Sequence, residues 1–257
     1  MDHHINPLAV HIQTIKRRLV VMGAAILASL IVTFSFSGQM VAWLNRPFQN
    51  QLVFYGPTEA LFASIKVSLL AAVILSLPVI FYQCWKFVEP ALLPKEQRWA
   101  IPLFFLAAGL FALGLVFCNL VILPLVIDFF VSFGLDRDVS PQLSVGTYID
   151  FNVKFLLIFG CAFELPLVMT LMAVTGAVSA QVFARYRKHA ILSNLIVAAI
   201  VTPDATLFTM LLMAVPLMAL YEIGILGARF FGRHSAGGMD LPVDPDLPIG
   251  TAGTRLR

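Results

Sequence analysis

Residues 101–127 read IPLFFLAAGLFALGLVFCNLVILPLVI, without one charged side chain. As a helix rising 1.5 Å per residue, that run exceeds the roughly 30 Å hydrocarbon thickness of a bilayer. It is not alone. Further apolar segments cover about 19–36, 61–82, 151–174, 190–202 and 207–228. A soluble globule would have to hide all six behind polar surface that the chain does not have. Of the 257 residues 60% are hydrophobic and 12% charged, where a soluble domain has about 25% charged. A soluble enzyme, a disordered chain and a fibrous repeat are excluded. The expectation is an all-α membrane protein with six transmembrane helices.

The fifth segment covers only about 20 Å before Pro203. By length it could be a buried or re-entrant helix; the charge pattern favours a short span. Lys16, Arg17, Arg18, Lys86, Lys95, Arg98, Arg185, Arg187, Lys188, Arg229, Arg233, Arg255 and Arg257 then share one side, leaving Arg46, Lys66, Arg137 and Lys154 of the 17 basic residues for the other. The positive-inside rule puts both termini in the cytoplasm. Tyr82, Trp85, Trp99, Tyr186 and Tyr221 mark the inner interface, and Trp43, Tyr55 and Tyr148 the outer one. No cleavable signal peptide is expected, because three basic residues precede the first apolar run and no A-x-A site follows it. Residues 1–231 form a single membrane domain in this reading. The Gly-, Pro- and Asp-rich tail 232–257 is expected to be disordered. Leu8, Ile12, Ile15 and Leu19 make one apolar stripe, which predicts an interfacial helix at the start. The first outer loop, 37–58, contains an apolar MVAWL stretch; the second, 128–150, is acidic.

Catalytic chemistry has little to build on. His3, His4, His11, His189 and His234 all lie in inner loops or ends, and neither HExxH, GxSxG nor GxxxxGK[ST] occurs. Cys84, Cys118 and Cys161 form no CxxC pair, so no disulfide framework or zinc site is indicated. No cofactor, metal or nucleic acid is expected.

Glu164, in FGCAFELP at 159–166, is the outstanding polar residue of the spans. An ionised carboxylate near the bilayer centre costs at least roughly 2.5–3.5 kcal/mol on insertion scales. One reading is a neutral acid hydrogen-bonded inside the bundle, eased by the backbone disruption at Pro166. The other, the default for an intramembrane carboxylate, is a functional contact: a proton relay, or a polar handle for a passing substrate or partner helix. Lys66 and Lys154 lie near outer span ends, where snorkelling accounts for them. Glu222 near the inner end of the last span fits an interfacial residue pairing a loop Arg. Asp204, after Thr202 and Pro203 in the tight outer turn, is either the N-cap of the sixth segment or functional.

The first inner loop, YQCWKFVEPALLPKEQRW at 82–99, is unusual for a passive link. Pro90 and Pro94 stiffen it, and Glu89 and Glu96 offer acceptors to a cationic ligand. Arg binds carboxylates bidentately, so an Arg-bearing peptide fits; equally, the glutamates could pair with Lys95 and Arg98 of the same loop.

The chain resembles the TatC family, the polytopic subunit of the twin-arginine protein translocase. The matching stretches are IKRRL at 15–19, PTEALFASIKVSL at 57–69, LPVIFYQCWKFVEPALLPKE at 77–96, FGCAFELP, RYRKHA at 185–190, TPDA at 202–205 and AVPLMALYEIG at 214–224. The resemblance implies a concave, cupped six-helix bundle with short fifth and sixth helices in the bacterial inner membrane. It implies recognition of twin-arginine signal peptides and export of folded proteins by the proton-motive force. The implied partners are the single-span subunits TatA and TatB and further copies of the chain. The family's loop glutamate that meets the twin arginines falls on Glu96, the aromatic of its W-x-F element on Phe87, and its mid-membrane glutamate on Glu164. The outer-turn aspartate falls on Asp204, beside Thr202, and the first outer-loop proline on Pro47. Glu89, Lys16 and Arg18 complete the implied signal-peptide site. One departure stands out. The family's frequent H-L-x-E-L-R-x-R-L pattern reads HIQTIKRRL here, with Thr14 in place of a carboxylate and Lys16 in place of an Arg. Recognition by acidic residues would then rest more on Glu96, with Glu89. A small-solute transporter is the competing class, but no three-plus-three internal repeat is visible.

Overall fold

The computed structural model of the protein describes residues 7–44, 53, 55–89, 100–135, 144–201 and 206–232. Among these the architecture is helical, apart from one isolated parallel bridge between Val53 and Ser144. Helix α1 covers Pro7–Phe34, α2 Ser37–Leu44, α3 Pro57–Val88, α4 Ala100–Phe117 and α5 Leu123–Leu135. Then follow α6 Val145–Phe163, α7 Leu165–Val174, α8 Ala180–Arg185, α9 Arg187–Val201 and α10 Leu207–Phe231. Five described stretches are long and apolar enough to cross a bilayer: Gln13–Phe34, Pro57–Lys86, Ile101–Phe130, Val145–Val174 and Leu207–Phe231.

Two prolines explain how the long spans are subdivided. Pro124 lacks an N–H and its ring would strike the carbonyl one turn back. The chain absorbs this with a π-helical turn at Cys118–Ile122, closed by Leu123 N–H donating to the Cys118 carbonyl. The helix therefore continues past 127 to Leu135. Pro166 instead breaks its span, separating α6 from α7 at Glu164.

Several boundaries differ from the sequence reading. Among the described residues no separate interfacial helix precedes the first span: α1 is continuous from Pro7, since nothing between 7 and 34 breaks it. MVAWL is helical, within α2. The fourth span starts at Val145, not 151, because Ser144 caps it by accepting from Thr147 N–H. The expected short last helix is instead 25 residues long, and its N-cap is Thr206, not Asp204, which lies outside the described residues. Helix α9 has 15 residues, about 22 Å.

Lipid is as apolar as the side chains, so packing and hydrogen bonds, not water exclusion, hold such helices together. Helix α1 packs along α3, and Thr33 Oγ1 donates to the Ser68 carbonyl between them at 2.9 Å. Phe151, Phe155, Phe159 and Phe163 recur every fourth residue and form one stripe of the fourth span. Phe155 and Phe159 are fully buried, against Cys118, Ile122 and Val126 on one side and Ala198 and Met213 on the other. Helices α4 and α6 touch backbone to backbone at Gly114, where a Cβ would lie 2.6 Å from the Phe159 carbonyl oxygen. Helix α7 packs along α10, and α9 also lies against α10.

Candidate functional site

Glu164 sits at the break. Its φ and ψ of −77° and −19° remain helical, and its N–H donates back to the Cys161 and Ala162 carbonyls, while its own carbonyl accepts from Val168 N–H at 2.9 Å. The 30-residue span ends ten residues later, at Val174, so the carboxylate lies about two thirds along rather than at the midpoint. The earlier start at Val145 causes that shift. Its Oε1 is buried without a hydrogen-bond partner. The reading of an acid satisfied inside the bundle does not hold for that oxygen.

Glu164 lines a cavity of about 470 Å³ between α3, α4 and α7. Cys84 and Trp85 of α3, Phe104 of α4 and Leu171 of α7 make walls that are otherwise almost wholly apolar. A largely apolar wall with one carboxylate accommodates a hydrophobic segment that carries a hydrogen-bond donor.

The other residues expected to act lie apart from this cavity or outside the described chain. Lys16 is exposed on α1, and Arg18 is half-buried, sharing a small cavity with Tyr82 and Lys86 of α3. Glu89 is half-buried and ends α3, its backbone N–H donating to the Trp85 carbonyl. Phe87 belongs to the last turn of α3, but its side chain is outside the described residues, as are Glu96, Pro47, Thr202 and Asp204. Glu222 pairs with Arg187 at 2.8 Å, as the sequence suggested, and neighbouring Tyr221 donates its hydroxyl to the Phe183 carbonyl at 3.0 Å. Lys66 does more than snorkel: it forms an ion pair with Asp150 of α6.

Sequence reasoning passed over one cluster. Glu59, at the third position of α3, accepts from Tyr55 N–H through Oε2 at 2.8 Å. Its Oε1 accepts from Gly146 N–H at 3.0 Å and from the Ser144 hydroxyl, both at the start of α6. One carboxylate thus caps two helices. A Cβ at 146 would come within 2.5 Å of the Glu59 side chain, so any larger residue there pushes that carboxylate out of place. Val145 N–H donates to the Val53 carbonyl at 3.1 Å, and Tyr148 Oη to the Leu44 carbonyl at 3.3 Å, which binds α2 to the same corner. Pro at the first helical position and Glu at the third are a recognisable helix start, but the partner's identity has no local signal.

Comparison with known proteins agrees with this architecture. The family described as Sec-independent protein translocase protein (TatC) matches residues 10–216. The Sec-independent protein translocase protein TatC of Desulforapulum autotrophicum is 38% identical over 89% of this chain and 86% of its own length. Its counterpart from Aquifex aeolicus is 37% identical over 88% of this chain and 96% of its own. A solved structure described as the twin arginine translocase receptor TatC superposes with a TM-score of 0.80 at 36% identity, covering 87% of this chain and 100% of that one. The sequence motifs, the helical membrane fold and these likenesses together make the chain a member of the TatC family of Sec-independent protein translocase proteins.

Proposed function

We propose that this chain is the receptor of its translocase: it captures signal peptides bearing paired arginines and serves as the core for export of folded proteins, driven by the proton-motive force. The carrying observation is the likeness to a twin arginine translocase receptor over that structure's whole length. The chain acts as a translocation component, with no bond-making chemistry of its own. Capture belongs to Glu96, Phe87 and Glu89, with Lys16 and Arg18 beside them. Glu164 offers an intramembrane acceptor to the inserted segment or a partner helix. Pro47, Thr202 and Asp204 serve the opposite face. The partners are TatA, TatB and further copies of the chain.

In this reading the protein lies in the bacterial cytoplasmic membrane with both termini in the cytoplasm. Helix α9 is a sixth, short span; at about 22 Å against a roughly 30 Å core it thins the bilayer locally. Residues 1–231 form one membrane unit in this reading; the tail expected to be disordered lies, beyond Gly232, outside the described residues. The basic residues favour this orientation. Reporter fusions at Arg257 and Asp138 are expected to report cytoplasm and periplasm respectively; a periplasm-active reporter at Arg257 overturns it.

Capture is tested by photocrosslinking an Arg-Arg signal peptide and its Lys-Lys counterpart to the purified chain. The Arg-Arg peptide is expected to crosslink near 82–99. Glu96→Ala should weaken capture about 10- to 100-fold, because a charge-assisted hydrogen bond contributes roughly 1.5–3 kcal/mol. Equal labelling by both peptides, or undiminished labelling of Glu96→Ala, refutes the assignment.

A further inference from the structure

Because α6 begins at Val145, its lysine lies deeper than the sequence suggested. Lys154 is the tenth residue of that helix, so its Cα stands about 13.5 Å from the start. A centred 30-residue span measures about 45 Å and overhangs a roughly 30 Å core by about 7.5 Å at each end. Lys154 is therefore rooted about 6 Å inside the hydrocarbon and not at its edge.

Lys66 is likewise the tenth residue of α3, and its partner Asp150 stands one turn before Lys154 on α6. Two lysines thus gather around a single aspartate. Asp150 pairs with Lys66, and Lys154 makes no ion pair with a described residue. However the aspartate is shared, this set keeps one positive charge in excess. An ionised side chain at such a depth calls for a partner of opposite charge.

The exposed face around Lys154 identifies that partner. Leu157, Cys161 and Leu165 continue its stripe along the fourth span at intervals of three, four and four residues. Cys161 and Leu165 are exposed and Leu157 is half-buried, and none of the three lines the Glu164 cavity. In the other direction the stripe carries Thr147, also exposed, near the start of α6. An extended lysine keeps its stem in the hydrocarbon and lifts its ammonium to headgroup level. A phosphate there meets the ammonium and the Thr147 hydroxyl, and its acyl chain runs along Leu157, Cys161 and Leu165. A carboxylate of a partner helix would have to be buried to make the same contact, whereas a lipid phosphate already lies at that level.

We infer that Lys154 holds the phosphate of an anionic phospholipid, in the leaflet where α6 begins, with an acyl chain along the exposed face of the fourth span. A headgroup with one net negative charge matches the one surplus positive charge. The inference depends neither on signal-peptide capture nor on which side of the bilayer faces the cytoplasm.

Photolabelling of the full chain in phosphatidylcholine nanodiscs tests it. The probes are a phosphatidylglycerol with a diazirine in its acyl chain and the matching phosphatidylcholine, each at trace level; the readout is label mapped to residues 157–165. Phosphatidylglycerol should label that stretch about fivefold more than phosphatidylcholine. Lys154→Gln should bring the ratio to about one, and Lys154→Arg should hold it within about twofold of the parent. Asp150→Asn removes the counter-charge of the set and should raise the ratio about fivefold. Equal labelling by the two lipids, an unchanged ratio in Lys154→Gln, or a fall in Asp150→Asn overturns the proposal. A ratio lost equally in Lys154→Arg does so too, since shape rather than charge would then be at issue. Excess glycerol 3-phosphate should displace no label; full displacement would make the ligand a soluble phosphate and overturn the lipid assignment. A zero-length carbodiimide crosslink from Lys154 to a carboxylate of another polypeptide, in place of lipid label, would make the partner a helix and overturn it as well.

Discussion

Glu164→Lys is expected to abolish export of a twin-arginine reporter, while Glu164→Gln keeps export within a few-fold of the parent. The carboxylate sits at the α6–α7 break, with Oε1 buried and unpartnered and the cavity walls otherwise apolar. A cation forced into that position costs roughly 2.5–3.5 kcal/mol on insertion scales, enough for about a hundredfold loss, and replaces an acceptor by a donor. Gln keeps the shape and an acceptor oxygen. Glu164→Ala removes the acceptor and should slow export strongly while leaving membrane insertion intact, because the helix break comes from Pro166 and not from the carboxylate. Pulse-chase export of the reporter, with signal-peptide crosslinking as control for folding, reads all three. Parental export rates in both the Ala and Gln variants would remove Glu164 from the mechanism.

Glu59→Ala is expected to be the most destabilising single substitution at the opposite end of the bundle. It deprives two backbone N–H groups and one hydroxyl of their acceptor in a half-buried corner. Each orphaned donor costs about 1–3 kcal/mol, less where water can enter, for a total of roughly 3–5 kcal/mol. Glu59→Gln keeps one acceptor but loses the charge assistance and turns an amide donor toward other donors, so it should recover less than half. Ser144→Ala should cost about 1 kcal/mol, the usual figure for a lost cap. The Lys66–Asp150 pair nearby, about 40% exposed on each side chain, should contribute 1 kcal/mol or less. Thermal unfolding in detergent ranks these variants, and an unchanged midpoint for Glu59→Ala would contradict the capping role.

What could be read from sequence alone follows from how far apart the causes lie. The spans announce themselves because each residue's apolar character is its own. The break at Glu164 is legible because Pro166 acts on the turn that precedes it. The Arg187–Glu222 pair was anticipated as a class of contact, with the particular Arg left open. The start of α6 was misplaced because Gly146 and Asp150 read as loop, yet Asp150 pairs with Lys66 and the Gly146 N–H donates to Glu59, both in another span. Asp204 was one candidate for the cap of α10, with a functional role as the alternative; Thr206 fills the cap, its side chain accepting from Thr209 N–H. The chemistry of a long-range partner leaves no trace at the residue that needs it.

The Glu59 cap also fixes an order of events. Glu59 and Ser144 are 85 positions apart, with α3, α4 and α5 between them. At roughly 5–20 residues per second of synthesis, α3 waits on the order of 4–17 seconds before its acceptor finds the α6 donors. During that interval the α3 start is held by its own Tyr55 N–H alone, and α1 has only α3 to lean on. The nascent protein thus passes through a half-built hairpin whose exposed carboxylate must be tolerated by the insertion machinery, and the corner locks only when the fourth span arrives.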